Sequence, residues 1–125
     1  GKGHSGSDLI MYLPEEKIIF AADLVFNKSH PYLADGDFMN LKNILTSLEL
    51  MHINKVVPGH GDIGGKELIS GMKEYVEDLE DLAARMKSEG KSLEDIEMVQ
   101  IPAKYKDWIL GAYFHSNLRF VFDPD

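Results

Sequence analysis

Three short segments carry the side chains that could do chemistry in this 125-residue chain: Gly3-His4-Ser5, Phe20-Ala21-Ala22-Asp23 and Val57-Pro58-Gly59-His60-Gly61. Each offers an imidazole or a carboxylate where a strand is expected to begin or to run into a loop. Strand ends hold side chains rigidly, and a following glycine lets the backbone turn sharply enough for an imidazole to face a shared centre. Histidine and aspartate suit zinc or another first-row metal, and such ligands need only converge in space. The chain has no cysteine, which excludes disulfides, thiolate zinc sites and a cysteine nucleophile. Any metal would therefore be held by imidazole and carboxylate.

The elements that must position these residues are legible in the patterning. Leu9 to Leu13 and Ile18 to Phe26 are apolar runs separated by Pro14-Glu15-Glu16-Lys17, which predicts an antiparallel hairpin. The stretch from Asn27 to Gly36 is rich in Asn, Ser, Pro, Asp and Gly, so a functional loop is expected there, ending on Asp35 or Asp37 as a helix N-cap. Phe38, Leu41, Ile44, Leu45 and Leu48 recur at helical spacing and predict a short amphipathic helix to about Leu50, followed by a brief strand from Lys55 to Pro58. Leu68, Met72, Tyr75, Leu79, Leu82 and Met86 mark one face of a long helix closed by Gly90, with Glu74, Glu77, Asp78, Glu80 and Asp81 on a face expected to be solvated. Ser92 with Asp95 forms a capping box for a short helix that Pro102 ends, and the aromatic tail from Tyr105 to Phe122 is predicted to be helical in part.

Taken in order, Gly-His-Ser before a hairpin, an aspartate ending Phe-Ala-Ala-Asp and Pro-Gly-His-Gly after a later strand resemble the last three metal-binding motifs of the metallo-β-lactamase superfamily. The resemblance covers His4 to about Asp62, and the long helix that follows lies where that family places one. It implies an α/β (α+β) fold, the C-terminal half of an αββα sandwich, with one mixed sheet flanked by helices. It also implies a cofactor of two zinc ions, with His4 a ligand of the first, Asp23 the bridge and catalytic residue, and His60 a ligand of the second. In such a site the zinc lowers the pKa of a water toward neutrality and polarises a carbonyl or phosphoryl oxygen. Thioesters, lactones, β-lactams and phosphodiesters are all processed on that fold, so the fold alone does not choose the substrate. The absence of cysteine argues against those β-lactamases that place a cysteine where Asp23 stands, and a small ester, thioester or lactone is the preferred substrate. His30 and Tyr32, in the loop after Asp23, are candidate substrate-binding residues.

The departure from the family matters equally. Its principal motif, His-x-His-x-Asp-His, is absent, because no two of the five histidines at 4, 30, 52, 60 and 115 are two positions apart. The family domain is about twice this length, so residues 1–125 are expected to form a single partial domain. An inactive structural fragment or a binding module is therefore the competing reading, with the missing N-terminal half or a second copy of the chain as partner. A one-sheet half would leave apolar side chains open to water, which predicts a homo-oligomer.

A net charge of −8 weighs against nucleic acid as a partner, since it repels phosphate backbones. No apolar run approaches the length of a membrane span. Neither fact fixes a compartment, although a cytoplasmic one is preferred. Taken singly, His4 reads as a solvated terminal residue and Asp23 as a turn cap, and only the ordered set of motifs turns both into ligands. For His30 an exposed loop position is the alternative to a pocket wall, and for His52 and His115 a structural role is expected.

Overall fold

The computed structural model describes residues 10–33 and 36–123. Three strands, β1 (Met11–Leu13), β2 (Ile18–Phe26) and β3 (Lys55–His60), form one mixed sheet in the order β1-β2-β3. The hairpin predicted from the Pro14–Lys17 turn is present, with Met11 opposite Phe20 and Leu13 opposite Ile18 in antiparallel register. Lys17 closes it at a positive φ of 57°. Its carbonyl then accepts from Asn54 N at 2.7 Å, so the same turn also seats the start of β3. β3 runs parallel to β2, as a crossover through a helix requires.

The crossover is α1 (Phe38–Glu49). Of the two proposed caps, Asp37 serves: its carboxylate accepts from Asn40 N at 3.0 Å, while Asp35 lies outside the described residues. α2 (Glu67–Ser88) follows β3 and ends at Gly90, which adopts a φ of 75°. Ser92 and Asp95 form the expected reciprocal capping box, but the turn they start, Leu93–Met98, is a 3-10 helix. A second 3-10 turn, Ala103–Tyr105, leads to α3 (Ala112–Phe122), the helical part of the aromatic tail.

The core lies between one face of the sheet and the helices. Ile19, Ala21 and Val56 point into it and meet Leu41, Leu45 and Leu48 of α1 and Ile69, Met72, Val76 and Leu79 of α2, all buried. The helical spacing that marked these residues is thus the seam along which α1 and α2 lie on the sheet. α3 packs on α2 through Phe114 and Leu118. The acidic face of α2 is less free than expected: Lys42 pairs with Glu80 at 2.8 Å, and Lys104 lies 2.7 Å from both Glu74 and Asp78. These pairs tie α1 and the second 3-10 turn to α2.

Candidate functional site

Asp23 and His60 come together at the end of the parallel strand pair. His60 Nε2 stands 3.6 Å from Asp23 Oδ1, and the two side chains are 52% and 49% exposed. An ion pair that open contributes at most about 1 kcal/mol, so the backbone sets the geometry.

Four local features do so. Ala22 adopts a φ of 49°, and the β2–β3 register shifts on both sides of it. The strand therefore bends at the residue before Asp23, and a break of this kind re-aims the next side chain. Gly59 supplies room: a Cβ there would fall on Asp23 Oδ1 and sit 2.7 Å from the Ala22 carbonyl oxygen. Gly61, at a φ of 94°, turns the chain away, and a side chain there would collide with the Asn27 carbonyl. Finally, the Phe26 ring stacks on the His60 imidazole at 4.7 Å between centroids, while Asn27 N donates to the His60 carbonyl at 2.9 Å and Asn27 Nδ2 to that of Asp62 at 2.9 Å.

The donor set fits a zinc ion. Two donors on one tetrahedral zinc at about 2.0–2.2 Å each stand roughly 3.4 Å apart, close to the observed separation. His4, the third expected ligand, lies outside the described residues. Among the described residues no group of three histidines, aspartates or glutamates is placed to hold a metal.

The remaining candidates separate. Tyr32 is 40% exposed, packs edge-to-face on Tyr113 at 5.4 Å, and lines a cleft of about 320 Å³ with Arg119 and Phe120. His30 is neither on a pocket wall nor in an exposed loop; it is wholly enclosed. Its Nε2 lies 3.1 Å from the Tyr105 carbonyl and its Nδ1 2.8 Å from the Tyr75 hydroxyl, with Trp108 and Phe114 rings at 5.6 and 6.0 Å. Burial, the largest effect, lowers its pKa, with the nearby His115 adding to it and the Tyr105 carbonyl opposing. His115 Nε2 meets the Val99 carbonyl at 2.8 Å, a structural position as expected, while His52 is exposed and engages Tyr12 OH at 2.7 Å through its backbone carbonyl.

Sequence reasoning missed Asn117, a buried amide in the aromatic tail. Its Oδ1 accepts from Leu33 N at 2.9 Å, and its Nδ2 donates to the Pro31 carbonyl at 2.6 Å and to Tyr75 OH at 3.2 Å. The available signal was a lone amide between Phe114 and Leu118, on the face that must be apolar. Tyr75 was read as part of the apolar stripe, yet a buried tyrosine hydroxyl requires a partner.

A family model described as Metallo-beta-lactamase superfamily matches residues 1–60. A metallo-beta-lactamase type 2 of Bacteroides fragilis is 32% identical over 81 residues, which are 61% of this chain and 32% of that protein. One from Bacillus cereus is 32% identical over 74 residues, 55% of this chain and 29% of that protein. Among solved structures, a metallo-beta-lactamase from Pontibacter korlensis superposes with a TM-score of 0.57 at 29% identity, covering 62% of this chain and 38% of that one. The chain thus spans about a third of the length of the curated relatives it matches. Its mixed sheet and helices share the fold of these neighbours over that part, and residues 1–60, which hold His4, Asp23 and His60, are similar to the metallo-beta-lactamase superfamily.

Proposed function

We propose that this chain supplies ligands to a zinc-dependent hydrolase, with Asp23 bridging two ions, His60 binding the second and His4 the first. The observation that carries the reading is the 3.6 Å approach of His60 Nε2 to Asp23 Oδ1 at an open strand end. Bound zinc would supply a water of lowered pKa and a Lewis acid for the substrate oxygen. The chain's own residues do the positioning. Asp23 presents a half-exposed carboxylate with two oxygens, as a bridging role needs, and the Phe26 stack orients the imidazole that faces it. Tyr32, exposed on the loop that follows β2, is the residue we assign to substrate contact. The substrate class is a small ester, thioester or lactone, with aspartate rather than cysteine at position 23 as the supporting feature.

A second reading, that residues 1–125 alone form an inactive fragment or a binding module, is favoured by the missing His-x-His-x-Asp-His motif. The two are compatible if turnover needs that motif from elsewhere. Calorimetric titration with zinc tests the ligand assignment. Weak binding is expected, because structural or catalytic zinc normally takes three or four protein ligands, and it should disappear in His60→Ala and in Asp23→Ala. Zinc binding indifferent to both substitutions would overturn the assignment. The isolated chain with zinc should be nearly inert toward ester, thioester and lactone substrates, and turnover abolished by Asp23→Ala would remove the fragment reading.

A further inference from the structure

The segment from Phe26 to Leu33 touches the Asp23–His60 pair at one end and the C-terminal elements at the other. At the first end Phe26 stacks on His60 and Asn27 N donates to the His60 carbonyl. At the other, Ile109 N donates to the Lys28 carbonyl at 3.1 Å, His30 N donates to the Ile109 carbonyl at 3.0 Å, and Leu33 N donates to Asn117 Oδ1. Lys28 takes a φ of 56° and Leu110 one of 62°. Both are conformations that residues bearing a Cβ adopt only when the surroundings hold them. The centre of the strap is the His30 imidazole, which is the deepest polar group in it.

The hydrogen bonds fix the tautomer. The Tyr105 carbonyl can only accept, so His30 Nε2 carries the proton. Nδ1 then accepts from the Tyr75 hydroxyl, whose oxygen accepts in turn from Asn117 Nδ2. Every member of this chain is satisfied with the ring neutral. A second ring proton, on Nδ1, would meet the Tyr75 hydroxyl proton, leaving a buried charge and an unpaired donor. Few other groups face the ring to offset that charge. From α2 there are Tyr75 and, through the Tyr105 hydroxyl, Asp78; Lys104 already pairs with Asp78 and Glu74; from α3 there is His115.

We propose that His30 is a positioning residue for the Asp23–His60 pair, whose neutral, Nε2-protonated imidazole anchors the strap that fixes the His60 backbone and ring. It neither touches substrate nor binds metal. The proposal rests on reading Asp23 and His60 as the working pair, but its test needs no metal and so can fail or succeed independently of that reading.

The experiment is amide hydrogen exchange and imidazole NMR on the full chain, compared with His30→Phe, which fills the aromatic cage without hydrogen bonds, and Tyr75→Phe, which removes the Nδ1 partner together with one of the two acceptors of Asn117 Nδ2. In the parent the His30 ring should show the Nε2-protonated tautomer and should titrate at lower pH than a free histidine, whose pKa is near 6.5. In both variants the Asn27 amide should exchange about tenfold faster or more, as the loss of one or two buried hydrogen bonds predicts. The His60 ring signals should shift, while Val76 and Leu79 amides in α2 stay protected. His30→Gln, which can still donate toward Tyr105, should recover part of the Asn27 protection. Two results overturn the proposal: Asn27 exchange unchanged in both variants, or accelerated only in step with Val76 and Leu79, which would make His30 a core residue and nothing more. A ring that titrates as an exposed histidine does the same. If His30→Phe fails to fold, Tyr75→Phe decides alone.

Discussion

Ser29 is buried in the strap beside His30, and its hydroxyl is the one buried side-chain polar group without a hydrogen-bond partner among the described residues. An unmade bond of this kind penalises the fold by about 1–3 kcal/mol relative to a satisfied group, whereas an apolar group of similar shape there is close to neutral. Ser29→Ala is therefore expected to stabilise the chain by about 1 kcal/mol, read as a raised denaturant midpoint at unchanged slope. Destabilisation of similar size would point instead to a buried water bonded to that hydroxyl. His30 carries the complementary pH dependence. Its pKa is lowered in the fold, so the unfolded chain binds the proton more readily as the pH falls below about 6.5. Its contribution to stability is fully present above that value and declines as the pH drops toward the folded pKa. The two histidines mark what sequence makes legible at this scale. His60 could be read because its neighbours, Gly59 and Gly61, do local work that a dipeptide can announce. His30 could not, because its partners stand 45 and 75 residues away on Tyr75 and Tyr105, and nothing local to Ser-His-Pro predicts that convergence.

The elements followed their patterns wherever burial alone decided them. α1 and α2 sit where the apolar spacing put them, since a stripe three and four residues apart has one comfortable way to meet a sheet. β3 ran two residues longer than its apolar run suggested, reaching His60, because backbone pairing with Phe26 continues past the point where side-chain hydrophobicity stops. The bend at Ala22 had no signal, as alanine is an unusual occupant of positive φ. That bend and Gly59 act as one device: the strand turns over a glycine so that Asp23 and His60 can lie side by side. Gly59→Ala places a methyl group against Asp23 Oδ1 and the Ala22 carbonyl, one of which must move. We expect a loss of about 1–3 kcal/mol from overpacking, measured by chemical denaturation, together with loss of the zinc response because the carboxylate is displaced. A variant with unaltered stability and unaltered zinc titration would show that β2 and β3 have slack at this crossing.

At the scale of the whole molecule, among the described residues the helices cover one face of the sheet and none covers the other. Met11, Phe20 and Val57 form a cross-strand row on that face, with Met11 54% and Phe20 37% exposed. Together with Ile10, Ala22 and Pro58 they line a shallow depression of about 410 Å³. The aromatic tail does not close it, for α3 packs on α2 and on the 3-10 turn at Leu93–Met98. Alternation along β2 made this two-faced arrangement readable: Ile19 and Ala21 go in, Phe20 and Ala22 go out. What the sequence could not tell was which face the tail would choose. Its choice follows from His30 and Tyr75, which give the tail's Trp108 an aromatic seat on the helical side. Covering the open face is favourable at roughly 25 cal/mol per Å² of apolar surface, set against an association cost of about 4–15 kcal/mol. We therefore expect the isolated chain to associate through this face as a homodimer or larger homo-oligomer at micromolar concentration. Light scattering should show mass rising with concentration, and Phe20→Lys, which puts a charge in the middle of the row, should return it to monomer without loss of helical signal. A parent chain that stays monomeric at about 100 µM, and binds no hydrophobic dye, would mean that this surface is too small or too flexible to drive association by itself.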